Sequence, residues 1–323
     1  MARYSDASAA LAKNQANVQA TKIAPLGYMG EFGSGLWRVF LASGSFTIPA
    51  GVKEIRVRVV GGGGGAGGGG CGGGGGGYAH GVFPVTPGDV YAVTVSGKNR
   101  NAGGTSSFGS LISATGGGVG AYYSNVAGAF SNSSAGGVGI GGDFQAKGGA
   151  GGGVNATNYG GGGGAGSQLG DGGNAGGSGG AGVGGNGSSI GGGGGSAFGP
   201  NYHDPNKGGL DALGNSSAGA GAVNPIGALI RFPFDGFTGG GGAVLNSATG
   251  EKIGYPGGSG AGGGGSGGSP ATGGVSAGLG GVGGGGGGGS NGGNGTASGG
   301  IGGGAGNGNG DNYGGAGLVV VEW

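Results

Sequence analysis

Residues able to perform acid–base or metal chemistry are few and scattered in this chain of 323 residues. There are two histidines, His80 and His203, and one cysteine, Cys71, which lies inside a glycine run. His203 is followed directly by Asp204, but an adjacent pair in a polar stretch is more typical of a solvated turn than of a metal or catalytic site. Because the sequence has neither clustered acids nor metal-ligand spacings, we expect no metal, no cofactor and no enzymatic activity.

Patterns that bind phosphate or nucleic acid are also missing. Matches to Gly-x-Gly-x-x-Gly occur only because glycine is everywhere, and Gly97-Lys98 is followed by Asn99 rather than by serine or threonine. Charged residues make up 8% of the chain and the net charge is +1, so the sequence lacks the excess of positive charge that is typical of nucleic-acid binders. No stretch approaches the roughly 20 apolar residues that span a bilayer. We therefore expect neither nucleic-acid binding nor membrane insertion, and we expect Cys71 to be a small buried thiol.

Non-covalent binding through loops is better supported by the residue types. Aromatic and polar side chains supply rigid contact area and adaptable hydrogen bonds at low entropic cost. The insertion 196–238 is rich in both, and its best candidates are Phe198, Tyr202, His203, Arg231, Phe232, Phe234 and Phe237. A second set is Tyr122, Tyr123 and Phe130, followed by Tyr255. The alternative is that these aromatics pin their loops to the scaffold as small satellite cores.

The scaffold that must position these loops is glycine, at 113 of 323 residues. The glycines form runs, of which the clearest are 61–65, 72–77, 160–164, 191–195 and 283–289. Glycine loses the most backbone entropy on ordering and has no side chain to bury, so such a chain is either a tether or a structure that packs backbone on backbone. The inserted Phe, Tyr, Ile and Val residues and the flanking strands disfavour a tether.

Two ordered glycine-rich structures can be compared with this composition. Collagen needs strict Gly-X-Y with abundant proline, whereas this chain has unbroken glycine runs and only ten prolines. Extended helices of the polyproline II type have three residues per turn, so their amides point in three directions toward neighbouring rods. Glycine is needed wherever two backbones touch. We therefore expect a polyglycine II helix sandwich over residues 117–317, with inserted loops.

The remaining elements are one helix and several strands, so we expect a mostly non-helical fold. Residues 4–22 predict a short helix in which Tyr4, Leu11 and Val18 are seven apart, a spacing that favours oligomerisation over docking on a partner or fraying. Strands are predicted over 52–60, 78–85, 90–96, 108–115 and 317–323. We expect the first and last strands to pair. The domains would be 1–35 for attachment and oligomerisation, a β-rich region 36–116 with the first glycine rod, the polyglycine II sandwich 117–317 with receptor-facing loops, and a closing strand 318–323.

Three segments carry a resemblance to a known family. Residues 44–65 (GSFTIPAGVKEIRVRVVGGGGG), 104–118 (GTSSFGSLISATGGG) and 314–323 (GGAGLVVVEW) resemble the glycine-rich domains of bacteriophage tail-fibre proteins. The alternation of glycine blocks with unlike loops resembles the host-range adhesins at the fibre tips of T-even-like phages. In those adhesins polyglycine II helices form a sandwich, and the loops between them touch the receptor. This chain differs in beginning with its own predicted helix.

The resemblance implies a receptor-binding virion protein of a tail fibre or tail tip. Its partners would be a bacterial surface polysaccharide, outer-membrane protein or pilus, together with other tail proteins, and it would be a homotrimer. Three alternatives stay open: a structural spacer of the tail or baseplate without receptor contact, a glycine-rich bacterial surface protein, and an enzyme. The spacer is the main rival, because neither an export signal nor a catalytic cluster is visible in the sequence.

Overall fold

The structure is a computed structural model that describes twelve strands and part of the glycine-rich region. The described residues are 36–67, 71–120, 134–152, 161–168, 170–175, 243–246, 251–254, 285–286, 298–306 and 313–323. They form strands, turns and extended glycine segments without a helix, which confirms a mostly non-helical fold. The predicted helix 4–22, with Tyr4, Leu11 and Val18, lies outside the described residues. Within the described ranges, no helix is long and apolar enough to cross a membrane.

The described residues form twelve strands. They are β1 (Trp37–Phe40), β2 (Gly44–Thr47), β3 (Glu54–Val60), β4 (Tyr78–Pro84), β5 (Val90–Thr94), β6 (Ser106–Phe108), β7 (Ile112–Ala114), β8 (Gly139–Ile140), β9 (Phe144–Ala146), β10 (Ala243–Asn246), β11 (Glu251–Gly254) and β12 (Leu318–Glu322). β10 and β11 form an antiparallel pair of their own.

The other ten strands form two antiparallel sheets that share one hydrophobic core. The first sheet has the order β1-β12-β3-β4-β9 and the second has the order β2-β5-β6-β7-β8. The prediction that the two ends of the chain pair is confirmed, because β12 lies between β1 and β3. We call this unit the β-sandwich.

The alternation in β3 explains why the first sheet has a buried face. Ile55, Val57 and Val59 have no exposed surface, whereas Arg56 and Arg58 lie on the opposite face, as the period of two predicts. The preceding turn contains Gly51 at φ +83°, a conformation that costs glycine little. From the second sheet Phe46, Ile48, Val93, Phe108 and Ile112 complete the core.

Two details of the β-sandwich differ from the predictions. The segment 108–115 is not one strand, because the chain turns at Gly109, with φ +52°, and β6 and β7 pair as a hairpin. The predicted strands also do not include β1, β2, β8 or β9. The last two, β8 and β9, lie in a stretch without a strand pattern, and each forms an edge of one sheet. Both are three residues or shorter, so pairing with longer neighbours rather than local pattern defines them.

Extended glycine segments continue the strands at one end of the β-sandwich. β3 runs into 61–67, the segment 71–77 runs into β4, and 313–317 runs into β12. Val60, Tyr78 and Leu318 are paired neighbours, so these segments leave side by side. The full set, which we call the glycine array, is 61–67, 71–77, 97–104, 115–120, 134–138, 147–152, 161–166, 170–175, 285–286, 298–306 and 313–317.

The segment 71–77 has the most complete set of backbone partners. Its N–H groups donate in a rotation of three: residues 72 and 75 to 147–152, residues 73 and 76 to 298–306, and residues 74 and 77 to 115–120. The N···O distances are 2.7–3.0 Å. Its carbonyl groups accept from three other segments, which are 61–67, 134–138 and 161–166. The segment is therefore surrounded by hydrogen-bonded backbone, as buried peptide groups require.

The same rotation appears elsewhere in the glycine array. In 61–67, residues 61, 64 and 67 donate to 71–77, residues 62 and 65 donate to 97–104, and residue 63 donates to 313–317. A Cβ built on any of Gly73, Gly74, Gly75, Gly76 or Gly77 would lie less than 3.0 Å from backbone atoms of another segment. The glycines at 73–77 are thus required by the closeness of the backbones.

Candidate functional site

The binding residues predicted from the sequence lie outside the described residues. These are Phe198, Tyr202, His203, Arg231, Phe232, Phe234, Phe237, Tyr122, Tyr123, Phe130 and Tyr255. Their roles stay predictions. The structure instead locates the residues at which several of the insertions begin and end.

The ends of the insertions gather at the end of the glycine array that is remote from the β-sandwich, which we call the far end. Gly120 N donates to Gly65 O at 2.9 Å, and Gly151 N donates to Ser134 O at 3.1 Å. The insertion 121–133, which contains Tyr122, Tyr123 and Phe130, therefore starts and finishes on segments of the array.

The other insertions have flanks in the same region. Gly152 and Gly161, which flank 153–160, are joined by a hydrogen bond of 2.8 Å from the Gly152 N–H. Gly67 N also donates to Cys71 O at 3.0 Å, across the glycines 68–70, which are not an insertion. Ala175 is the last described residue before the stretch that contains 196–238. Its N–H donates to Ala150 O at 2.9 Å, and Ala150 is two residues before Gly152. The array thus holds the flanks of unlike sequences close together.

One polar loop near the far end lies within the described residues. Residues 98–102 (KNRNA), which we call the basic loop, carry the exposed side chains of Lys98 and Arg100. The Arg100 guanidinium lies 4.9 Å from the centroid of the Tyr313 ring. Asn101 O accepts a hydrogen bond of 2.7 Å from the N–H of Gly65, whose own carbonyl accepts from Gly120. The basic loop is therefore beside the start of the insertion 121–133.

Asn99 makes the basic loop rigid. Its Oδ1 accepts from the Asn101 N–H at 2.9 Å, and its Nδ2 donates to Ala102 O at 3.2 Å. Its backbone pairs with Gly314, with the Gly314 N–H donating to Asn99 O at 2.9 Å. Sequence reasoning considered these residues only as a failed phosphate loop. Two cations flanking an asparagine, between glycines, were the signal that could have identified the loop.

His80 lies in the β-sandwich, far in sequence from His203 and beside aromatic rings. Its ring stacks on Phe144, with centroids 5.2 Å apart and an interplanar angle of 22°, and it contacts Tyr78 edge-on. Burial lowers the pKa of His80 below 6.5, the charges of Arg58 and Arg56 lower it further, and Asp143 partly opposes them. Asp143 Oδ2 accepts the Val82 N–H at 2.8 Å, so its carboxylate caps backbone instead of orienting the imidazole.

Cys71 is buried and free, which confirms the prediction of a small buried thiol. Across the described part of the chain, no three His, Cys, Asp or Glu side chains are grouped so that they could hold a metal ion. Among the described residues, what the far end offers chemically is therefore a set of hydrogen-bonded backbone segments and one basic loop. Comparison with known proteins adds no family, since no family model and no curated protein matches this sequence.

Proposed function

We propose that this protein is a bacteriophage tail-fibre or tail-tip adhesin that binds a receptor on the bacterial surface through loops at the far end. The observation that carries the proposal is the gathering of the insertion flanks at Gly120, Ser134, Gly152 and Gly161. A rigid base that presents unlike loops together suits recognition, since ordering is completed before the partner is met. The resemblance of 44–65, 104–118 and 314–323 to tail-fibre domains supports the same function.

The proposal includes the nature of the glycine segments, which we take to be polyglycine II helices packed as a sandwich. Such a helix has three residues per turn and no internal hydrogen bonds, so each third residue faces the same neighbour. The three-residue rotation of donors in 61–67 and 71–77 is what this geometry requires. The required closeness of the backbones at Gly73–Gly77 supports it as well.

Binding would be reversible and multivalent, with no covalent change to the receptor. Aromatic residues of 196–238, with Tyr122, Tyr123, Phe130 and Tyr255, would supply contact area. Several copies on one virion, in trimers joined through residues 1–35, would convert weak loop contacts into tight attachment by raising the effective concentration. Other tail proteins would hold the N-terminal region.

Adsorption experiments test this function against the spacer alternative. The purified wild-type chain is expected to block adsorption of the phage that carries it. Virions in which 196–238 is deleted are expected to assemble but to lose adsorption, whereas virions with Gly97→Ala, whose Cβ meets open space, are expected to adsorb normally. Failure of the deletion virions to assemble, with no blocking by the purified chain, would support a structural spacer instead.

A further inference from the structure

We propose that the basic loop is a binding site for an anionic glycan, in which Lys98 and Arg100 contact carboxylate or phosphate groups carried on sugar rings. The inference rests on the proposed function and names a ligand class for the far end. Both cationic side chains are exposed, and they are separated by the single residue Asn99. Guanidinium and ammonium groups form their strongest hydrogen bonds with carboxylates and phosphates.

The backbone of the basic loop is fixed before any ligand arrives. Asn99 is paired with Gly314, Asn101 is bonded to Gly65, and Arg100 lies between these two anchors. A Cβ on Gly65 would lie less than 3.0 Å from the O, C and Cα atoms of Arg100, so the Arg100 backbone rests directly on the glycine array. Preorganisation of this kind lowers the entropy cost of binding.

Tyr313 is a positioning residue for Arg100. Its half-buried ring lies beneath the guanidinium at 4.9 Å, a cation–π distance that restricts the orientation of the arginine side chain. The contact uses the ring face rather than the hydroxyl group. A phenylalanine at this position would therefore preserve it.

The charge distribution favours an anionic glycan over nucleic acid. No acidic residue occurs in the sequence between Asp89 and Asp143, so the stretch of chain that contains the basic loop carries only positive charge. Nucleic-acid binding needs a stripe of many cations that neutralises successive phosphates, whereas the net charge here is only +1. Two exposed cations on a loop whose backbone is held in place suit a polymer whose anionic groups are spaced by sugar rings.

The test measures binding of the purified full chain to four defined probes by biolayer interferometry. The probes are polygalacturonate for sugar carboxylates, phosphomannan for sugar phosphates, neutral dextran, and a short DNA duplex. We expect binding to polygalacturonate, phosphomannan or both, with affinity that falls as salt rises, and no binding to dextran. Absence of binding to both anionic glycans, or equal binding to DNA, would overturn the proposal.

Variants locate the site. Lys98→Ala and Arg100→Ala are each expected to weaken glycan binding about ten-fold, because one charged hydrogen bond contributes roughly one decade of affinity. Tyr313→Ala is expected to weaken it about two- to five-fold and Tyr313→Phe to leave it unchanged, since the ring face carries the contact. The matched controls are Lys53→Ala and Arg38→Ala, which remove exposed cations of the β-sandwich; Arg38 also lies over an aromatic ring, Phe40, at 4.6 Å. Equal losses in the controls would overturn the proposal.

Two further measurements separate this inference from its rivals. Asp311 lies outside the described residues and is the acid nearest in sequence to Tyr313, two residues before it. Asp311→Asn removes a negative charge and is expected to preserve or strengthen binding. A loss of binding would contradict contact through the cations. The adsorption assay distinguishes the two proposals. If wild-type protein blocks adsorption and Lys98→Ala/Arg100→Ala blocks it equally, the glycan site fails while the adhesin function stands. If wild-type protein does not block adsorption, the adhesin function fails, and the probe measurements still decide the glycan site.

Discussion

Glu322 is the one fully buried charged side chain among the described residues, and it lies in the strand that joins the two ends of the chain. Arg56 forms an ion pair with its Oε2, and Arg58 Nη2 lies 3.3 Å from its Oε1. A buried carboxylate is tolerated only when such partners replace its water. The group therefore ties β12 to β3 specifically, beyond the pairing of their backbones.

Replacing Glu322 by glutamine is expected to lower the free energy of unfolding by about 3 kcal/mol. This is the low end for breaking a buried pair, since Arg56 and Arg58 keep 28% and 13% of their side-chain surface exposed. Urea unfolding followed by tryptophan fluorescence measures the change. Glu54→Gln, in the same sheet but exposed, is the control and should change stability little. Equal stability of the two variants would contradict a role for the ion pair.

His80 predicts a pH dependence of stability. Its pKa in the folded protein lies below the ordinary 6.5, mainly because burial and then Arg58 disfavour the imidazolium. Below pH 6.5 the unfolded chain therefore binds the proton more readily than the folded one, so stability falls on acidification from that point and is independent of this group above it. Unfolding free energies measured between roughly pH 5 and 7 should show this slope in the wild type and a smaller one in His80→Gln. Identical slopes would contradict the prediction.

At the scale of elements, backbone contacts replace the side-chain core in the glycine array. Gly75 donates to 147–152, accepts from 134–138, and would place a Cβ against Gly164 and Ala165. Three neighbouring segments therefore meet at one residue without a side chain. A single methyl group at this position has no rotamer by which to avoid the contact.

Gly75→Ala is expected to destabilise the protein by at least about 3 kcal/mol, the upper range for overpacking, because the clash is with backbone. Gly97→Ala is the matched control, since its Cβ meets nothing within 4 Å. Thermal unfolding of the two variants gives the comparison. A Gly75→Ala variant as stable as Gly97→Ala would mean that the glycine segments are more loosely packed than the distances around Gly75 indicate.

Local pattern predicted some of these elements and missed others for physical reasons. The alternation of Ile55, Val57 and Val59 identified β3, because a strand of seven residues is long enough to display a repeat of two. The hairpin turn at Gly109 and the two-residue strand β8 were missed, since their pairing partners rather than their own residues define them. The aromatic candidates in 196–238 lie outside the described residues. The basic loop was missed because its cations gain significance only through contacts with Gly65 and Tyr313.

At the scale of the whole molecule, the β-sandwich and the glycine array are continuous. Each of β3, β4 and β12 is covalently extended by an array segment at the same end, and the described flanks of the insertions lie at the far end of the array. The N–H groups of 61–67 and 71–77 donate to other segments, so these two segments depend on their neighbours for their hydrogen bonds. The register of the strands would then align the segments, and the two parts should unfold together.

Native-state hydrogen exchange measured by NMR tests this cooperativity. Amides of 72–77 and of β3 should exchange with the same free energy, through global unfolding. Val57→Ala removes fully buried methyl groups from the core of the β-sandwich. It should lower the exchange free energies of 72–77 and of β3 by the same amount, about 2 kcal/mol. Leu41→Ala is the control, because Leu41 is 65% exposed and should alter neither value. The contrary result would be that the amides of 72–77 keep their protection in Val57→Ala while those of β3 lose it. The glycine array would then be an independent unit, and the β-sandwich would not be the base that positions the insertions.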